Sequence, residues 1–153
     1  MLFRTHLAFG ILVFFLLNQV LLIPNKILFF IFVAIGAIVV DVDLKNSKVG
    51  KNILLRPFQF FIKHRGMVHS FLFGIVVGVL IAGLSQWAGF GFFAGFMSHL
   101  FLDFTTAKGI EFFWPWKKKT GLWIKTGGIV EEIFFVLILL TDFWLALVMV
   151  GVV

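Results

Sequence analysis

The chain has 153 residues, of which 61% are hydrophobic, and a formal net charge of +6 at pH 7. Its mean hydropathy of +1.12 exceeds what a soluble domain of this size needs, and its apolar runs are long enough to cross a membrane. The absence of cysteine excludes disulfides and thiolate metal ligands. Because the basic residues are clustered, the charge does not indicate a nucleic-acid-binding surface, and no nucleic-acid partner is expected.

Five apolar stretches follow one another along the chain, and we predict a transmembrane helix for each. The first follows Arg4 as in a signal peptide, but it lacks a small-residue cleavage site and another apolar segment comes at once. We therefore interpret it as a retained helix. The fold class is an all-α polytopic membrane protein, with residues 1–153 forming one integral-membrane domain. The predicted helices are Thr5 to Ile23, Lys26 to Val40, Met67 to Trp87, Phe90 to Phe104 and Ile129 to Val150.

The distribution of Lys and Arg predicts the orientation, because these residues favour cytoplasmic loops. With the N-terminus inside and five spans, twelve of the thirteen lie on the inner side and only Lys26 lies outside. We therefore predict an N-in, C-out protein of the inner (plasma) membrane, with loops 44–66 and 104–128 in the cytoplasm. Tryptophan beside lysine, as in Trp116 and the Lys117–Lys119 run, is typical of the headgroup layer, so membrane lipids are expected partners.

The same orientation places ten of the eleven His and acidic residues at cytoplasmic helix ends. His99 and Asp103 are four residues apart and therefore share one helix face. Such a pair can bind one ion, although a structural His–Asp hydrogen bond explains the spacing equally well. Asp142, deeper in the last helix, is the exception. The other members at this end are His6, Asp41, Asp43, His64, His69, Glu111, Glu131 and Glu132.

A cluster of His and carboxylates without cysteine is suited to Zn²⁺, Mn²⁺ or another divalent cation. More than four candidate ligands allow one or two ions, and paired ions are suited to phosphoester displacement. Ionisable groups at the ends of membrane segments mark function by default. Two alternatives stay open: a metal that only fastens helix ends together, and a metal or proton transporter. Against transport, these groups stop at one interface, and only Asp142 could extend a path across the bilayer.

Four motifs follow one another along the chain: Thr5-His6, Asp41-Val42-Asp43, the stretch from His64 to Ser70, and the stretch from His99 to Thr106 with Trp114-Pro115 after it. In this order they resemble the YdjM-like family of membrane-bound metal-dependent hydrolases. That family is in turn similar to the zinc-dependent phospholipase C and single-strand nuclease superfamily. The family often shows Asp-x-Asp-His, whereas Leu44 follows Asp43 here, so one donor is absent. The resemblance implies the metal ligands His6, Asp41 or Asp43, His64, His69, His99 and Asp103.

We therefore expect a membrane-bound metal-dependent hydrolase that acts on a lipid phosphoester at the cytoplasmic face. The cofactor is expected to be zinc, as one or two ions, with manganese as the alternative. Glu131 is the candidate general base, with Glu132 as the second candidate. Arg65, beside the two histidines, is the candidate phosphate-binding residue, with Lys117–Lys119 as the alternative. The alternative functions are a non-enzymatic membrane protein with a structural metal site and a metal or proton transporter.

Overall fold

The computed structural model describes residues 1–43, 66–116 and 118–151 of the chain. Within these ranges the structure is helical, with two isolated β-bridges and no strand, so the all-α prediction is confirmed. A short 3-10 turn at Val40–Asp43 follows the second helix, and another at Met67–His69 precedes the third. That residues 1–153 form one domain stays a prediction. The helices are α1 (Phe3–Val20), α2 (Lys26–Val39), α3 (Phe71–Ala82), α4 (Gln86–Phe104) and α5 (Ile129–Val150).

The third and fourth helices differ from the prediction where they are connected. In place of one helix over residues 67–87, the structure has the 3-10 turn and the shorter α3, and Trp87 already belongs to α4. Ser85 sets this boundary, because its hydroxyl accepts a hydrogen bond of 3.4 Å from the backbone amide of Ala88. A serine at this position satisfies one of the unpaired amides at a helix start. As a result α4 has 19 residues and is longer than predicted.

Two helices, α1 and α5, are long and apolar enough to cross a membrane. Of the remaining three helices, α2 and α3 are apolar but shorter, with 14 residues in α2 and 12 in α3. At 1.5 Å per residue these measure about 21 and 18 Å, less than the roughly 30 Å of a bilayer core. The number of five spans and the N-in orientation therefore stay predictions.

Helix α4 lies at the centre of the bundle and makes its most extensive contact with α2. Glycines allow this approach. A Cβ on Gly95 would lie 2.0 Å from the carbonyl oxygen of Val33, and one on Gly36 would lie 2.2 Å from that of Phe92. Small residues at such positions let two membrane helices approach backbone to backbone. The tight contact places the carboxyl end of α2 directly beside the carboxyl end of α4.

Polar side chains from all five helices or their adjoining turns meet at one end of the bundle. Helices α1, α3 and α5 begin there, whereas α2 and α4 end there. An apolar cluster adjoins this end and is completed by Ile110 from the segment between α4 and α5. The cluster contains Val40, Val68, Phe92, Phe96, Leu100 and Ile110.

Candidate metal centre

Five side chains from four elements converge at this end. His6 comes from α1, Asp41 from the turn after α2, His69 from the turn before α3, and His99 and Asp103 from α4. Two of these elements are turns, and the other two contribute residues from near a helix end. The side chains of His6, His69, His99 and Asp103 are at most 2% exposed. Burying such groups is costly unless they are paired or bind a metal.

Asp103 lies between the three histidines. Its Oδ1 is 3.4 Å from Nε2 of His6. Its Oδ2 is 3.7 Å from Nε2 of His69 and 3.9 Å from Nε2 of His99. The amino group of Met1 also contacts Oδ1, at 2.7 Å. The two oxygens of one carboxylate therefore face different imidazoles, which is the arrangement that a bridging ligand requires.

The orientation of His99 is fixed by the backbone. Its Nδ1 lies 2.8 Å from the carbonyl oxygen of Ala37. A carbonyl can only accept, so Nδ1 carries the proton and Nε2 keeps its lone pair. This Nε2 lies 3.8 Å from Oδ1 of Asp41 and makes no hydrogen bond within the described chain. A ring held through one nitrogen by a carbonyl, with the other free, is typical of a metal-binding histidine.

His6 stacks on His99, with ring centroids 3.8 Å apart and the planes 11° from parallel. Nδ1 of His6 makes no hydrogen bond in the described ranges, and its Nε2 makes a long contact of 3.4 Å with Oδ1 of Asp103. A buried imidazole without a hydrogen bond is costly. The cost is removed if its Nε2, which already faces Asp103, binds a cation.

Two overlapping groups of potential ligand atoms each lie within 4.8 Å of one another: His6, Asp41 and His99, and His69, His99 and Asp103. Ligand atoms bound to zinc at about 2.0–2.1 Å in a tetrahedron are about 3.3 Å apart, so small side-chain movements would close either group around an ion. The single lone pair on Nε2 of His99 can serve only one ion. If two ions bind, Asp103 is therefore the ligand that can serve both.

Asp41 is the most exposed of the five, with 15% of its side chain accessible. Burial nevertheless raises the pKa of the Asp41 carboxyl above its ordinary value, and the nearby Asp103 acts in the same direction. His6 and His69 oppose this shift. A divalent cation beside Asp41 would favour the ionised carboxylate, because opposite charge stabilises it.

The structure does not test every predicted site residue. His64, Arg65, Leu44 and Lys117 lie outside the described residues, as does the side chain of Asp43. Glu111 is buried in the segment after α4. Asp142 follows Glu131 by eleven positions in α5, or about 17 Å along the helix axis, and it remains apart from the group, as predicted.

Glu131 connects the start of α1 to the start of α5. Its Oε1 accepts hydrogen bonds from the amide of Leu2 (2.6 Å) and the hydroxyl of Thr5 (2.8 Å). Its Oε2 accepts one from the amide of Gly127 (2.7 Å). Its neighbour Glu132 pairs with Arg4 at the surface. The role of Glu131 as a general base stays a prediction, since these contacts assign it a bracing position beside the histidine group.

Comparison with known proteins identifies the family. A family model described as YdjM inner membrane protein matches residues 1–153. The chain belongs to the YdjM inner membrane protein family. The uncharacterized protein YvsG of Bacillus subtilis (strain 168) is 29% identical over 106 residues, which are 65% of this chain and 66% of that protein. No solved structure gives a significant match.

Membership of the YdjM family confirms the resemblance and supports a location in the inner membrane. The wider relation to the phospholipase C and nuclease superfamily stays a prediction. Sequence reasoning named Thr5 only as part of a motif, without a role, and did not identify the Ala37 carbonyl; both organise the site. A role for Thr5 could have been inferred from its position beside His6. A backbone carbonyl carries no signal in the sequence, and only the packing of α2 against α4 identifies it.

Proposed function

We propose that this protein is a metal-dependent hydrolase of the inner membrane that cleaves a phosphoester in a lipid at the cytoplasmic face. The observation that carries the proposal is the buried group of three imidazoles around Asp103, with Asp41 at its edge. Nitrogen and oxygen donors in this ratio favour zinc, with manganese as the alternative. When bound, such an ion supplies a water of lowered pKa, about 7, and an electrophile for a phosphoryl oxygen.

Each residue of the proposed site has its own role. His6, His69 and His99 offer their Nε2 atoms, and Asp103 brings the negative charge between them. Ala37 holds the His99 ring through its carbonyl, so that Nε2 is presented in the correct protonation state. Asp41 is the most exposed member, so we expect a substrate to enter from its side. Arg65 is assigned to the phosphate from its sequence position between His64 and His69.

The membrane arrangement that we propose has five spans with the N-terminus inside. The meeting of all five helices, with alternate beginnings and ends, at one end of the bundle supports it. The excess of basic residues in segments 44–66 and 104–128 supports a cytoplasmic location for this end. The metal centre would then face the cytoplasmic leaflet, where the headgroups of lipid substrates lie.

The second candidate is a structural metal that fastens helix ends without catalysis. The near-complete burial of His6, His69, His99 and Asp103 favours it, because a reacting phosphate needs access to the ion. Transport is a weaker candidate, because it needs polar groups along a path through the bundle. In the described ranges, Asp142 is the buried acid that lies along the bundle away from this group. The three functions differ in turnover and in ion movement, so one preparation can separate them.

The test uses purified protein in detergent, analysed for metal and then screened against phospholipids and prenyl phosphates. Bound metal together with hydrolysis of a phosphoester bond, measured as the released phosphate or phosphomonoester, supports the hydrolase, provided that Asp103→Asn abolishes both. Bound metal without turnover on any lipid supports the structural site. Metal or proton flux in liposomes, without hydrolysis, supports transport. Absence of bound metal from protein purified without chelator would refute the proposal.

A separate variant decides the role of Glu131. If it is the general base, Glu131→Gln lowers turnover strongly and leaves both the melting temperature and the metal content unchanged. If Glu131 instead braces α1 against α5, its backbone and hydroxyl donors lose a charged acceptor in Glu131→Gln, and the melting temperature falls. Thr5→Val is the matched control, since it removes one of the three hydrogen bonds to Glu131 and leaves the carboxylate in place.

A further inference from the structure

An apolar groove lies on the other side of α4 from the metal centre. Its cavity volume is about 370 Å³, and Met97, Phe101 and Phe104 of α4 form its floor. These three positions follow the i, i+4, i+7 spacing of one helix face. At 100° per residue, His99 lies about 200° around the helix from Met97. The groove is therefore separate from the proposed hydrolytic site, with the body of α4 between them.

The opposite wall comes from the segment between α4 and α5, through Phe112, Phe113 and Thr120. This wall is held by backbone hydrogen bonds. Thr120 exchanges two with Ile110, of 2.9 and 3.0 Å, and the Phe112 carbonyl accepts one of 2.9 Å from the amide of Phe71. The groove is thus preformed, and no folding step is needed to create it.

The rim of the groove is open and aromatic. Phe101 is 54% exposed and Phe113 is 60% exposed. Exposed phenylalanines beside an apolar floor are unfavourable in water but suited to the hydrocarbon of a membrane. Trp116 and Trp123, in the same segment, are also largely exposed, and tryptophan favours the headgroup level. The groove therefore opens near the boundary between the hydrocarbon and the headgroups.

Two lysines adjoin a wall residue of this groove. Lys118 and Lys119 immediately precede Thr120, so the Cα of Lys119 is about 3.8 Å from that of a groove residue. Both lysines are exposed. The acid in this segment, Glu111, is buried. An apolar slot with two exposed lysines next to one of its wall residues is complementary to a molecule with a hydrocarbon tail and an anionic head.

We propose that this groove binds an anionic phospholipid of the surrounding membrane, with part of one acyl chain along Met97, Phe101 and Phe113 and its phosphate at Lys118 and Lys119. The volume lies within the range of about 300–1,000 Å³ that is usual for small-ligand sites. The bound lipid is not a substrate, because α4 separates it from the histidine group. The proposal does not depend on hydrolysis, and it holds equally if the metal is structural.

The experiment measures lipid retention by native mass spectrometry of purified, delipidated protein titrated with phosphatidylglycerol or phosphatidylcholine carrying identical acyl chains. Wild type is expected to retain one phosphatidylglycerol and to bind phosphatidylcholine more weakly. Thr120→Trp fills the groove and should lose the retained lipid. The attraction of one lysine to anionic lipid corresponds to about fivefold in affinity. The double variant Lys118→Gln/Lys119→Gln should therefore bind phosphatidylglycerol about 25-fold more weakly.

Two controls keep the result interpretable. Lys125→Gln removes a charge from the same segment, and Lys26→Gln removes one from the start of α2; neither should alter retention. Phe113→Ala removes an aromatic ring from the rim and adds no bulk to the groove. If both Phe113→Ala and Thr120→Trp lose the lipid, the loss does not come from a folding failure of one variant. Equal retention of the two lipids by wild type, or unchanged phosphatidylglycerol retention in Thr120→Trp, would overturn the proposal. Metal content, measured in parallel, should not change.

Discussion

Replacing Asp103 by asparagine is the sharpest test of the metal centre, because the side chain keeps its shape and loses its charge. In the structure the Asp103 oxygens face Nε2 of His6, His69 and His99 at 3.4, 3.7 and 3.9 Å. In Asp103→Asn, one of the two atoms becomes an amide nitrogen, which cannot bind a cation. The three imidazoles and Asp41 would remain, so the centre loses the negative charge at its middle. We expect bound metal and hydrolysis to be lost together.

The size of the effect follows from the burial of the group. Removing one partner of a buried charge interaction typically costs about 3–5 kcal/mol. At about 1.4 kcal/mol for each tenfold change, metal affinity should fall by roughly two to nearly four orders of magnitude. A structural His–Asp contact without metal would leave the metal content unchanged and affect only the melting temperature.

The assay compares metal stoichiometry and affinity, the latter by competition with a chelator, in wild type, Asp103→Asn and His99→Ala. Asp142→Asn is the matched control, because it makes the same chemical change in α5 away from the histidines. Folding is checked by detergent-solubilised size exclusion and by helical circular dichroism. Equal metal stoichiometry and affinity in wild type and Asp103→Asn would refute the reasoning.

Three further predictions concern packing, pH and orientation. Gly95→Ala should lower stability by about 1–3 kcal/mol, seen as a lower melting temperature, because its Cβ would lie 2.0 Å from the Val33 carbonyl oxygen; Gly83→Ala, at the end of α3, is the control and should change it little. In metal-free protein, burial raises the pKa of Asp41, so its ionisation costs stability as pH rises through that value. Asp41→Asn should therefore melt higher than wild type at pH 7, and the difference should vanish as pH falls below the ordinary range of aspartate; a difference that grows on acidification would contradict this. A reporter fused after Val153 should be active only in its periplasmic or external form, and a C-terminal fusion active only in the cytoplasm would disprove the N-in, C-out arrangement.

The sequence determined the helical class and which end of the bundle holds five of the candidate site residues, for reasons that are local. Apolar runs between short polar breaks specify helices whatever their partners are, and α5 was predicted with the bounds that the structure has. The i, i+4 spacing places His99 and Asp103 on one face of a helix. The distribution of charge placed His6, Asp41, His69, His99 and Asp103 at one end of the bundle, where the structure has them.

The connection between α3 and α4 was not determined in this way, because a single residue decided it. Within a long apolar run, hydropathy does not show where one helix ends and the next begins. The capping hydroxyl of Ser85 divides residues 67–104 at a different place from the one that hydropathy favours. Glu131 is a similar case. Its type and position fit a general base, yet its three hydrogen bonds come from Leu2, Thr5 and Gly127, which are partners that only the approach of α1 to α5 supplies.

Only the tertiary structure decided how the site residues face one another. The Ala37 carbonyl fixes the protonated nitrogen of His99 because Gly36 and Gly95 let α2 and α4 approach closely. Asp103 is central because three elements direct one imidazole each toward its two oxygens. The apolar groove likewise depends on the segment after α4 folding back over Met97 and Phe101. Local sequence patterns specify a helix and its exposed face, but the distance between two faces depends on the packing of every residue between them.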